Sequence, residues 1–156
     1  FGSAEPCLAG VPVLVDALAD PVEAIRLNAA GALRGILSAA ARKDPAAIGP
    51  FRSLLPRLAT AKEAARKGDD VIVEIGLQNA VAAFGADGLP YLVKDLTHPV
   101  RDLRWGAATA LRNLGPAARS ALPDVRAAAS SEKDDLVREV LAEAEKALQG
   151  GMESGG

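Results

Sequence analysis

The amino-acid sequence predicts an all-α fold, an α-solenoid of about four antiparallel helix pairs. Three observations carry that expectation. The 156 residues are 49% hydrophobic but only 3% aromatic. Alanine and leucine supply the apolar content, and they suit helices in close contact better than strands. The stretch "LRWGAATALRNLG" at 103–115 has a near copy, "IRLNAAGALRGIL", at 25–37. Each copy follows a short proline-bearing element and a turn signal, so the repeating unit is helix, turn, helix.

The first helices read "VPVLVDAL" at 11–18, "LPRLATA" at 55–61, "LPYLVKDL" at 89–96 and "LPDVRAA" at 122–128. Proline is tolerated just inside a helix start, where its missing N–H would have no intrahelical acceptor. In the long second unit, a helix beginning near Pro50 would instead be kinked at Pro56. The turns read "ADP" at 19–21, "KGDD" at 67–70, "THP" at 97–99 and "SEKDD" at 131–135. Asp20, Asp69 or Asp70, Thr97, and Asp134 or Asp135 are the candidate caps of the second helices.

The second helices carry the repetition. The offset that places Val22 on Val100 also places Pro21 on Pro99, Arg26 on Arg104, Leu27 on Trp105, Ala30 on Ala108 and Arg34 on Arg112. A weaker copy places Val73 on Leu103 and Ala80 on Ala110. A fourth, "LVREVLAEAEKALQG", fits in two registers one turn apart, with Val137 on Val100 or on Leu103. The repeats fall at about 11–43, 50–85, 86–115 and 116–149, within a repeat domain of 1–149. The extra residues "SAAARKDPAAIGPFRS" predict a longer second helix in the first repeat and a loop near Asp44–Pro50. "FG" at 84–85 and "LG" at 114–115 close second helices; Phe1–Gly2 reads the same way, as the end of a preceding repeat. The glycine-rich tail at 150–156 reads as disordered.

On a helical wheel, Val100, Leu103, Ala107, Ala110, Leu111 and Leu114 fall on one face and predict the buried stripe. Small side chains at 107 and 110 let a neighbouring helix approach closely. A lone pair cannot bury all this apolar surface, and a stack can.

The motif "IRLNAAGALRGI" and "LRWGAATALRNLG" resembles the HEAT-like repeat: an apolar residue, Arg, two variable residues, then Ala-Ala-x-Ala-Leu. It is similar above all to the short bacterial type also seen in phycobilisome lyase proteins. The resemblance covers residues 11–149 and implies a repeat scaffold, while such arrays serve many unrelated tasks. Glu74 stands where the motif has Arg, and the second repeat lacks the Ala-Ala pair. In this family such an arginine pairs with a turn aspartate, which would give Arg26, Arg104 and Arg138 partners among Asp20, Asp69, Asp70 and Asp134.

The expected function is a non-catalytic protein–protein interaction scaffold, a segment of a larger bacterial protein, cytoplasmic, with a protein or peptide docking along the concave second-helix face. The candidate contacts are Trp105, Arg101, Arg112, Arg34 and Gln78. Trp105 is the one tryptophan; between arginines it would make an interaction hot spot, or it packs against the next repeat as Leu27 and Ile75 would. Arg101, Arg104, Arg112, Arg119 and Arg126 make residues 100–126 locally basic. The net charge of −2 and the acidic fourth repeat disfavour nucleic acid. A lyase-like accessory role, presenting a substrate or chromophore to a partner, is the other alternative. His98 reads as a turn residue and Cys7 as a packed or incidental thiol. One histidine and one cysteine leave no metal-ligand cluster. No phosphate loop, nucleophile motif, cofactor site or membrane span is legible.

Overall fold

The computed structural model describes residues 8–150. Among them every regular element is helical, arranged as four helix–turn–helix pairs. Phe1, Gly2, Cys7 and the tail from 151 onward lie outside the described residues. The chain divides into two compact units, one ending at Phe84 and the other beginning at Gly85.

The first unit holds α1 (Val11–Ala17), α2 (Glu23–Lys43), α3 (Leu55–Lys67) and α4 (Val71–Ala82). The extra residues do lengthen α2, which runs for 21 residues before a 3-10 segment, Pro45–Leu54, leads into α3. Pro56 sits in the first turn of α3, so no helix is kinked there. Leu33, Leu37, Leu58 and Leu77 are fully enclosed. The second helices, α2 and α4, meet almost backbone to backbone. A Cβ built on Gly76 would lie 3.3 Å from Ala30 Cβ and 3.4 Å from the Ala30 carbonyl oxygen.

The second unit repeats the plan with α5 (Leu89–Asp95), α6 (Arg101–Leu114), α7 (Leu122–Ser131) and α8 (Asp135–Gln149). Leu103, Ala107, Ala108 and Leu111 of α6 are completely buried, as are Val137, Ala144 and Leu148 of α8. The predicted stripe is therefore rotated. Ala108 belongs to it, while Val100, Ala110 and Leu114 are only half-buried. A wheel drawn for one contact is too narrow, because α6 packs on both α5 and α8. Ala108 matches Ala30, the residue that meets α4 in the first unit.

Helix starts are built in two ways. Asp70 Oδ1 accepts the Val73 N–H at 3.3 Å, and Asp134 Oδ1 accepts that of Val137 at 3.1 Å. At α2 and α6 the extended residues Val22 and Val100 hold the cap position. Their own N–H groups are taken by Asp20 Oδ1 at 2.8 Å and His98 Nδ1 at 3.0 Å. Thr97 is not the cap; its hydroxyl donates to the Lys94 carbonyl at 3.4 Å. The caps Val22, Asp70, Val100 and Asp134 settle the fourth register: Val137 matches Val73 and Leu103. Past the second helices, Gly85 and Gly115 have φ of +62° and +58°, a conformation that excludes most side chains.

Candidate functional site

Three of the five predicted contact residues lie on α6. Trp105 is 43% exposed, at a helix position flanked by Arg101 and Arg112. Neither guanidinium is free. Arg101 Nε donates to Asp134 Oδ2 at 2.8 Å, and Arg112 pairs with Glu143 of α8. These pairs are half-exposed, so each contributes little stability, but together they hold both arginines in place beside the indole. Arg34 is exposed on α2, at the position matching Arg112. Leu27, matching Trp105, is 38% exposed. Gln78 differs: it is 3% exposed within α4 and drops out as a surface contact.

The recurrent arginines do something more specific than pair with turn aspartates. Arg104 Nη1 donates to the carbonyls of His98 and Pro99 at 2.9 and 3.0 Å. Its Nε and Nη2 grip the Glu132 carboxylate at 2.8 and 3.2 Å. One guanidinium thus ties its own turn to the next, and planar two-point recognition of this kind is what arginine does and lysine cannot. Glu132 also accepts the N–H groups of Lys133 and Asp134 at 3.0 Å each. The Arg104 hydrogen bond holds the Glu132 carboxyl below its usual value despite its burial. The Asp134 carboxyl is lowered too, first by the Val137 N–H and then by Arg101. Arg26 repeats the turn clamp on the Asp20 and Pro21 carbonyls at 2.8 and 3.0 Å. Arg138 turns back to Asp135 in its own first turn.

The basic run is met by the acidic residues of α8 and its preceding turn. Besides the three pairs above, Arg126 Nε donates to Glu145 at 2.7 Å, and Arg119 Nη2 to the Gln149 carbonyl at 2.6 Å. Every arginine from 101 to 126 is thereby satisfied within the second unit. The charge segregation visible in the sequence becomes a row of contacts, from α6 to α8 and its preceding turn for Arg101, Arg104 and Arg112, and within the fourth repeat for Arg119 and Arg126. Sequence reasoning missed Glu132 as the key partner, and it missed the histidine cap. A signal for the second was present: the offset that superposes Val22 on Val100 puts His98 on Asp20.

Compared with known proteins, the chain matches no family model, no curated protein and no solved structure. Among the described residues no group of three His, Cys, Asp or Glu side chains is placed to hold a metal ion. No helix among them is long and apolar enough to cross a membrane.

Proposed function

We propose that the chain is a non-catalytic interaction scaffold of HEAT-like repeats forming an α-solenoid, with a protein or peptide docking on its second helices. The observation that carries this reading is Trp105: a large indole, 43% exposed, in the middle of a helix whose other face is fully packed. Tryptophan and arginine are both among the side chains enriched where binding energy concentrates. The Arg101–Asp134 and Arg112–Glu143 pairs hold the surroundings fixed before any partner arrives, which reduces the ordering cost of association. Arg34 and Leu27 present the same combination, with leucine for tryptophan, on α2.

Satisfaction of the basic run by α8 and its preceding turn weighs against phosphate as the ligand, since neutralised arginines release few counterions. The partner chemistry that fits is a protein surface with an apolar recess for the indole. Trp105→Ala combined with Arg112→Ala should weaken partner capture from native lysate while the helical circular dichroism stays nearly unchanged. Because Trp105 is the one tryptophan, its fluorescence reports on the same site: the captured partner should shift its emission to the blue and protect it from acrylamide. Capture unchanged in the double variant would remove this face.

A further inference from the structure

The two clamping arginines stand in matching frames, yet only one of them is filled. Arg104 uses Nη1 on its turn carbonyls and Nε with Nη2 on the Glu132 carboxylate. Arg26 makes the same Nη1 bonds, to the carbonyls of Asp20 and Pro21. Among the described residues no carboxylate meets its other edge. The reason is in the next turn. Glu132 stands two residues before the cap Asp134; two residues before the cap Asp70 stands Gly68, with no side chain to reach across. In the second unit the cleft at this place has a volume of about 340 Å³. In the first unit it is about 710 Å³.

We propose that the cleft beside Arg26 binds a glutamate side chain of a partner peptide, in the position that Glu132 occupies beside Arg104. The turn clamp fixes the guanidinium plane, so the Nε–Nη2 edge is presented to the cleft before the ligand arrives. The carboxylates of Asp20 and Asp70 are engaged by the Val22 and Val73 N–H groups. Glu23 and Asp69 leave the rim acidic. A glutamate followed by lysine therefore fits both the centre and the rim, in the order that Glu132–Lys133 shows in this chain. Ile72, 67% exposed on the cleft wall, supplies contact area for an aliphatic side chain of the same peptide.

The test uses the full chain and a blocked peptide, Ser-Ser-Glu-Lys-Lys-Leu, with a twin carrying Gln for Glu. Titration should move the Arg26 Nε–H resonance in nitrogen-15 spectra, and the twin should bind roughly tenfold more weakly, as loss of a charge-assisted two-point contact implies. Arg26→Lys keeps the charge but not the fork, and should weaken binding to a similar degree with unchanged circular dichroism. Gly68→Glu should by itself move the Arg26 signal and abolish peptide binding. Position 68 accepts a side chain, because its φ is −89° and a Cβ there would meet only Ala64 and Ala65 carbonyls, at 3.5 and 3.7 Å. Equal binding of peptide and twin would overturn the proposal. So would an Arg26 signal that is already carboxylate-bonded in the free protein and reverts in Asp69→Asn, which would show the turn's own aspartate in the fork. None of these readouts depends on Trp105, so this site and the α6 face stand or fall separately.

Discussion

Replacing glycine by alanine inside a helix ordinarily stabilises it, and Gly76 should break that rule. Helix propensity favours alanine by about 0.8–1.0 kcal/mol. Gly31 and Gly35 in α2 have no atom within 4 Å of a built Cβ. The pair Gly31→Ala and Gly35→Ala should therefore gain about 1.5–2 kcal/mol together, since two methyl groups on this exposed face have little to disturb. At Gly76 the new methyl would meet Ala30 Cβ at 3.3 Å and the Ala30 carbonyl oxygen at 3.4 Å. Carbon atoms settle at about 3.5–4.0 Å. The obstruction is a Cβ and a helix carbonyl, neither of which can rotate aside as a long side chain can, so α4 must shift by a few tenths of an ångström. Overpacking of this kind costs about 1–3 kcal/mol, and offsetting the propensity gain leaves a net loss of about 0–2 kcal/mol. Urea denaturation followed by circular dichroism should thus separate the α2 double variant from Gly76→Ala by about 2–4 kcal/mol. Gly76→Ala gaining as much as one α2 substitution would mean that α4 yields at Ala30 without cost, and tight packing would no longer explain the small residues there.

Other substitutions probe the second unit. Ala107 is completely buried, and Ala107→Leu should cost about 1–3 kcal/mol in the same assay; an unchanged midpoint would displace it from the core. The Arg104–Glu132 contact should be pH-dependent with a defined sign. Glu132 titrates lower in the folded than in the unfolded chain, so its contribution is complete above the ordinary glutamate value of 4.5 and fades as pH falls through the folded-state value. The stability gap between the parent and Glu132→Gln should accordingly shrink in acid, and a gap independent of pH would refute the pairing. His98→Ala removes the acceptor for the Val100 N–H and should cost about 1 kcal/mol or more, while His98→Asp, copying Asp20, should restore most of it. Thr97→Ala, at an exposed and long hydrogen bond, should stay within about 0.5 kcal/mol of the parent.

How much of this was legible in the sequence depended on whether a feature is local. The helix pairs, the first-turn prolines, the caps Asp70 and Asp134, and the closing glycines 85 and 115 all follow from spacing and backbone preference, and the structure contains them. The buried stripe was legible only in part. Periodicity finds Leu103, Ala107 and Leu111. It does not find Ala108, because a single stripe does not describe a helix that packs on α5 and also on α8, two helices further along. Arg104 shows the same limit more sharply. The sequence marks it as recurrent, but its carboxylate partner lies 28 residues away in a different turn. Gln78 fails as a surface contact for a related reason: a polar residue on a wheel looks solvent-facing, and only the folded structure shows it buried. The comparison between repeats is more informative than either repeat alone. Matching caps put Glu132 and Gly68 in register, so the side chain that closes the seam in one unit is missing beside the open cleft of the other, in a turn that also carries Asp69 at a positive φ.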